Sequence, residues 1–350
     1  MPGKTVRIKD IALKAGVSIG TVDRVLHNRG EVKAATKEKV LAIAKKLNYQ
    51  PNIAARALKS PTSYKIAVIL PRSTGNNLFW EEHPKGIELG KESTTPFIAN
   101  VKYFNYEMHN ADDFKQEALK LIEWKPDGII IAPILKNETI ALCHELDALS
   151  IPYTFIDTNI EESNALTFIG ENARKGGRVA ASIMDVGVEQ DKDILIVNIA
   201  KDIDNVIHLN LRNQGFMSYF MDPGKRNIGL KITVEVPSGD RQGIYETLDR
   251  VFKNNLNIGG IMVSSARTFV IAEYLKERNL EHLFLVGYEV YEKNSQYLKE
   301  GIINFLISQR PVDQAEKTFK RLFNYLAHNT TPDKIEYQPI DIINIENLES

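Results

Sequence analysis

The side chains with the widest chemical repertoire are few and dispersed. The seven histidines form no His-Glu-x-x-His pair, the arrangement that sets two imidazoles on one helical face around zinc. The single cysteine, Cys143, can make neither an internal disulfide nor a cysteine-rich metal site. It lies in an apolar-periodic stretch with Ile140, Leu142 and Leu146, which reads as a buried position. Gly90-Lys91-Glu92 lacks both the earlier glycine and the following Ser or Thr of a phosphate-cradling loop. No Gly-x-Gly-x-x-Gly opens a helix after the first strand, and no Gly-x-Ser-x-Gly is present. These absences point to a chain that binds rather than catalyses, and that needs no cofactor and no metal ion.

What the side chains do offer is charge, unevenly placed. Residues 1–60 hold 13 Lys and Arg against 4 Asp and Glu, whereas 61–350 hold 31 against 41. The net charge of −1 hides this division, and a basic head on an acidic body implies that the head meets a polyanion. At 350 residues the chain is too long for one ordinary core, so two or three domains are expected. Hydrophobic residues at 43% and charged residues at 25% give the mix of a folded globular protein. The longest apolar runs, such as Gly128–Pro133, are far short of the roughly 18 residues of a membrane span. The N-terminus has no apolar h-region, so a cytoplasmic protein without membrane partners is expected.

Stepping through the basic head, three short helices can be read. The first spans Ile8–Ala15 and is ended by Gly16. Ser18 is a good N-cap for the second, Ile19–Leu26, whose inner face is Val22, Val25 and Leu26. The third runs from about Ala35 to Leu47, with Val40, Ile43, Ala44 and Leu47 as its apolar stripe and Lys37, Lys39, Lys45 and Lys46 off it. None is long enough to be stable alone, but together they can close a small core. Helix, glycine-containing turn and helix over Ala12–Leu26 is the helix-turn-helix pattern.

The following segment, Leu47-Asn48-Tyr49-Gln50-Pro51-Asn52-Ile53-Ala54-Ala55-Arg56-Ala57-Leu58, resembles the hinge of the LacI/GalR family of bacterial repressors. The whole of Val6–Leu58 is similar to that family's DNA-binding domain without insertions. The resemblance implies that the second helix, capped by Ser18, enters the major groove. Ile19, Gly20 and Arg24 then hold its base-facing positions. Arg24 is the one strong reader, since a guanidinium can bond guanine O6 and N7 together. Asp23 stands where many members carry a serine close to phosphate; it faces a cytosine amino group, pairs with a nearby base such as Arg24, or points away. Thr21, Thr36 and Tyr49 match phosphate-contacting positions, which set register. Arg7 replaces the usual capping Thr or Ser, with Asp10 as partial compensation through the helix dipole. Pro51 and Asn52 open a hinge helix ended by Leu58, with Ala54 and Ala55 small enough for two such helices to meet. In the family a dimer drives the paired hinges into the minor groove and the leucines wedge a base step. A hinge of two turns should fold only on DNA.

Past Ser60-Pro61-Thr62-Ser63, a polar breaker, the pattern becomes buried strands alternating with helices. Strands are read at Lys65–Leu70, Val101–Tyr106, Gly128–Ala132, Tyr153–Asp157 and Thr167–Ile169. A second series is read at Asp193–Val197, Ile232–Val236, Gly260–Val263 and Leu283–Val286. Such alternation means parallel α/β sheets, with ligands outside the carboxyl ends of strands. The expected organisation is a helix-turn-helix domain at 1–50, a hinge and linker at 51–63, and an effector and dimerisation body at 64–350. The body divides into subdomains of roughly 64–170 and 171–308, with a late segment crossing back.

The body resembles the type I periplasmic sugar-binding fold that the LacI/GalR family fuses to its head, and its ribose-binding branch in particular. The matching segments are Asn76–Trp80, Phe155–Asp157, Phe168–Asn172, Leu211–Phe216, Val286–Glu289 and Ser308–Pro311. The fold class expected is therefore an all-α three-helix head plus hinge helix, joined to a two-subdomain α/β body. The resemblance implies an effector site built from Asn77, Asp157, Arg212, Glu289 and Gln309, planar polar groups able to bond paired sugar hydroxyls. Phe79 and Trp80 offer flat faces for a sugar ring, or serve as plain core. Where members often have Asn-Asp, this chain has Ala266-Arg267. Either Arg267 joins Arg212 to meet an acidic sugar, or it points to solvent. The implied partners are an operator duplex, a small sugar or sugar derivative, and a second copy of the chain. A soluble sugar-binding protein and a sugar-active enzyme are the alternatives.

Overall fold

The computed structural model describes residues 6–26, 32–47, 63–73, 78–95, 97–108, 110–199, 207–225, 231–236, 241–255 and 257–348. The expected hinge helix, with Tyr49, Asn52, Ala55 and Leu58, lies outside the described residues, as does Asn77. The chain forms two compact units, with the boundary between Thr62 and Ser63.

The head consists of α1 (Ile8–Ala15), α2 (Ile19–Leu26) and α3 (Ala34–Lys46). The helical stripes meet as expected: Ile11, Ala12, Ala15, Val22, Val25, Val40 and Ala44 are buried together, with Ile43 and Leu47 packed against them. Gly16 takes the left-handed conformation (φ 67°) that ends α1, and the N–H of Val17 bonds back to the carbonyl of Ala12 at 3.1 Å. Asp10 does more than complement a dipole. Its carboxylate accepts the Arg7 backbone N–H at 2.8 Å, half of a capping box, so α1 starts firmly without a hydroxyl cap. Ser18 caps α2 by accepting the Thr21 N–H at 3.1 Å.

The body holds two six-stranded sheets. The first is built from β1 (Ser63–Pro71), β2 (Ile98–Tyr106), β3 (Gly128–Ile131), β4 (Tyr153–Ile156), β5 (Phe168–Gly170) and β11 (Ile335–Tyr337), in the order β11-β5-β4-β3-β1-β2. The second contains β6 (Asp193–Ile199), β7 (Lys231–Val236), β8 (Ile258–Val263), β9 (Phe284–Tyr288), β10 (Phe305–Ser308) and β12 (Asp341–Ile343), in the order β12-β10-β9-β8-β6-β7. The orders are the same, one lobe repeating the other. The β1–β3, β3–β4, β4–β5, β5–β11, β6–β7, β6–β8, β8–β9 and β9–β10 pairings are parallel, and β12 runs antiparallel to β10.

Helices cover both faces. A 3₁₀ turn, Leu78–Glu81, leads into α4 (Glu82–Glu92); α5 (Ala111–Glu123) and α6 (Lys136–Ala148) complete the first lobe's own set. The second lobe has α7 (Ala173–Gly187), α8 (Ile207–Tyr219), α9 (Arg241–Asn254), α10 (Thr268–Glu277) and α11 (Glu292–Lys299). Strand periodicity sorts its core cleanly. Leu195 and Val197 pack with Ile244, Leu248 and Leu285 on one face, while Ile194 and Ile196 pack with Ala180, Met184 and Phe216 on the other. Cys143 is buried in the first lobe's core.

The late segment does cross back. After β10, the long helix α12 (Pro311–His328) returns to pack on α4 and the first sheet, β11 extends that sheet beside β5, and β12 extends the second. The chain thus passes between lobes three times: after β5, after β10 and after β11. The strands β10, β11 and β12, of four, three and three residues, are not among those read from the sequence.

Candidate functional sites

In the head, burial of Val22 and Val25 fixes which side of α2 faces outward. That side carries Ser18, Ile19, Gly20 and Arg24, all exposed; Thr21 and Asp23 of α2 and Thr36 of α3 are half-buried. Arg24 lies along its own helix, its Nε donating to the Gly20 carbonyl at 3.3 Å. A bond this long is easily exchanged for a base edge. Gly20 helps here, because no side chain shields its carbonyl.

The body's site is built from two pairs that the repeat places equivalently. Asp157 follows β4 and Glu289 follows β9, the strand in the same position of the other sheet. Both residues adopt left-handed backbone, φ 68° and 69°, and each donates its N–H to the neighbouring strand, Asp157 to Ile169 and Glu289 to Ile307. Two residues beyond those acceptors come Glu171 and Gln309. Each lobe therefore presents one acid after its third strand in spatial order from the β11 or β12 edge, with a planar polar side chain beside it.

The pairs differ in chemistry. In one lobe the Gln309 Nε2 donates to Glu289 Oε1 at 2.5 Å, and carboxamide satisfies carboxylate. In the other, Glu171 beside Asp157 can only repel it, and a cation is required. Arg212 supplies it from α8: Nη2 donates to Glu171 Oε2 at 2.5 Å and Nη1 to the Ser264 carbonyl at 2.7 Å. Its guanidinium lies 3.7 Å from the Tyr288 ring centre. Arg212 is 1% exposed, Asp157 6%, Glu171 4%, Glu289 3% and Gln309 5%, so almost all of this charge is out of water.

Close helix packing makes room for it. A Cβ on Gly177 would lie 1.9 Å from the Arg212 carbonyl oxygen, and one on Gly215 2.0 Å from that of Arg174, so α7 and α8 touch backbone to backbone. A Cβ on Gly176 would overlap Glu171 Oε1. The glycines are what bring Arg212 within reach of Glu171.

Burial pushes Glu289 up to about 8, against the lowering effects of the Gln309 bond and Arg212. Burial likewise raises Asp157 to about 6, opposed by Arg212 and by the Thr158 hydroxyl, which donates to Asp157 Oδ2 at 3.0 Å. The same hydroxyl lies 3.5 Å from His208 Nδ1 on α8, a contact between the lobes. His208 is half-buried and neutral, its pKa pushed down to about 3 by desolvation and then by Arg212.

Asn294 holds the loop that carries Glu289. Its Nδ2 donates to the carbonyls of Ala266, Tyr288 and Glu289 at 2.9–3.0 Å, and its Oδ1 accepts the Phe269 N–H at 2.8 Å. Asn294→Ala is expected to cost roughly 3 kcal/mol of stability by leaving buried backbone groups unpaired. Urea unfolding of the purified variant checks this; a loss below about 1 kcal/mol would contradict the clamp.

The structure thus brings together Asp157, Arg212, Glu289 and Gln309. Phe79 and Trp80 are buried instead in a ring cluster with His83, which stacks on Trp80 at 4.8 Å and has its Nδ1 3.3 Å from the Phe79 carbonyl. Arg267 precedes α10, half-buried; burial lowers its pKa, with Tyr291 acting the other way. Arg212 is committed to Glu171, so the geometry argues against an acidic sugar held by Arg212 and Arg267. Glu171, Tyr288, His208 and Asn294 were missed in the sequence. The first had a usable signal, since Ile169-Gly170-Glu171 and Ile307-Ser308-Gln309 match across the internal repeat.

Among the described residues no group of three or more His, Cys, Asp or Glu could hold a metal ion, and no helix is long and apolar enough to cross a membrane. Comparison with known proteins gives two family matches. "Bacterial regulatory proteins, lacI family" matches residues 7–52, and "Periplasmic binding protein domain" matches 66–330. The chain is 27% identical over 288 residues, 78% of each sequence, to the HTH-type transcriptional regulator RegA of Clostridium saccharobutylicum. It is 33% identical to the HTH-type transcriptional repressor PurR of Vibrio cholerae over 180 residues, 51% of this chain and 50% of that one. Among solved structures, a candidate LacI transcriptional regulator from Bacteroides fragilis superposes with a TM-score of 0.75 at 26% identity, covering 82% of this chain and 98% of the other. GanP, a glucose-galactose binding protein from Geobacillus stearothermophilus, shares the fold at 16% identity and a TM-score of 0.71, over 82% and 99% of the two chains.

Proposed function

The chain belongs to the LacI family of bacterial regulatory proteins and is a DNA-binding transcriptional regulator with an effector-binding body, not an enzyme; from that premise we propose a cytoplasmic, homodimeric repressor controlled by a small carbohydrate-like effector. The observation that carries the effector reading is the convergence of Asp157, Arg212, Glu289 and Gln309 at the carboxyl ends of strands from both lobes. Polar groups from two movable lobes let a ligand favour one lobe arrangement over another. The head binds an operator through the exposed face of α2, and a near-palindromic operator calls for a two-fold pair of heads. A coupling of about 1–3 kcal/mol suffices to switch operator occupancy.

The test is a gel-shift assay of the purified full chain on genomic fragments, with and without sugars. One fragment is expected to be retained selectively, and one sugar class to change that retention. Arg24→Ala is expected to relax base preference at one operator position by about 1–3 kcal/mol, with little change elsewhere. Uniform weakening at all positions would assign Arg24 to phosphate instead. A protein that retards no fragment and turns over a sugar would overturn the whole reading.

A further inference from the structure

We propose that the effector carries a protonated amine: a polyhydroxylated ammonium compound of the amino-sugar class, its nitrogen seated between Asp157 and Glu289. This rests on the reading of the converging polar groups as an effector site, and names the chemistry that site selects.

The argument begins with the repeat. Equivalent positions after β4 and β9 each carry one carboxylate on backbone held in the left-handed region, and Asp157 is near enough to act electrostatically on Glu289. Asp157, Glu171 and Arg212 are the charged groups that bear on Glu289. Three carboxylates therefore face one guanidinium, whose two terminal nitrogens are already engaged by Glu171 and Ser264. Adding Arg267, which lies by Tyr291, still leaves acids in excess among the described residues.

Buried carboxylates without counter-ions have two remedies: they take up protons, or they take up a cation. Burial favours the first for Glu289, raised to about 8, and less so for Asp157, raised to about 6. An ammonium would displace the proton and form charge-assisted N–H···O bonds to both lobes, holding them together. A uronic acid would instead bring a fourth carboxylate. The sugar hydroxyls have partners too: Arg212 Nε and the Tyr288 hydroxyl are buried with no hydrogen-bond partner among the described residues.

The experiment is isothermal titration at pH 7 of the full chain with D-glucosamine, D-galactosamine and D-mannosamine. Each is compared with its neutral hexose, and the first two also with D-glucuronate and D-galacturonate. At least one amino sugar is expected to bind about tenfold or more tightly than its neutral parent, with proton release seen as a dependence of the heat on buffer. The uronic acids are expected to bind more weakly than the neutral parents. Glu289→Gln, with its fold checked by circular dichroism, should reduce the amino-to-neutral ratio to about threefold or less. A neutral hexose that binds as tightly as its amino form overturns the proposal alone, as does a ratio unchanged in both Glu289→Gln and Asp157→Asn. If no member in any charge state binds, the sugar-effector reading itself falls.

Discussion

Arg212→Met is expected to destabilise the body by about 3–5 kcal/mol at pH 7.5, among the largest effects any single substitution should have here. The variant keeps most of the side-chain volume but leaves Glu171 buried 4% exposed, without the charge that its Oε2 meets at 2.5 Å. It also removes a stacking partner from Tyr288 and a donor from the Ser264 carbonyl. The double substitution Arg212→Met with Glu171→Gln should recover at least about half of the loss, because the penalty comes from an uncompensated charge rather than from lost packing. Both tryptophans, Trp80 and Trp124, lie in the body, so urea unfolding followed by tryptophan fluorescence reads this unit and not the head. If the double variant is no more stable than the single one, packing rather than charge is the function of Arg212.

Without effector, stability of the body is expected to fall as pH rises from 6.5 to 8.5, by about 2 kcal/mol. Glu289 holds its proton up to about 8 in the folded chain, against an ordinary value of 4.5. Between those values the folded state binds more protons than the unfolded one, so the stabilisation is complete below about pH 4.5 and gone above about 8, on the order of 5 kcal/mol in all. Asp157, raised to about 6, has the same sign over a lower and narrower range. His83, buried, and His208, half-buried, are neutral with values near 4 and 3; they have the opposite sign and act chiefly on acidification below about 6.5, offsetting less than about 1 kcal/mol above it. Within the interval from 6.5 to 8.5 Glu289 is therefore the dominant contributor. Glu289→Gln should flatten the slope, since a carboxamide oxygen can still accept from Gln309 and never ionises. A slope that persists unchanged in this variant would locate the titrating group elsewhere.

The head was readable almost to the residue. Its helices begin and end within one position of expectation, because Ser18 and Gly16 are local signals and the stripes of α1 to α3 repeat every three or four residues. The alternating strands of the body were readable for the same reason. The site was readable only in part. Asp157, Arg212, Glu289 and Gln309 were each named, yet Glu171 was not, and of the two readings of Phe79 and Trp80, ring platform or plain core, the structure has the second, packed with His83.

By itself, then, the amino-acid order determined the elements, the division into a basic head and an acidic body, and the types of group available to a ligand. Periodicity, caps and net charge are properties of neighbouring residues, and neighbours are visible in one dimension. Which carboxylate meets the guanidinium, which meets a carboxamide, and which stays short of a counter-ion were decided only by the tertiary structure. Residues 157, 171, 212, 289 and 309 converge through strands and helices far apart in the chain, and the energy of a buried charge depends on what surrounds it after that convergence.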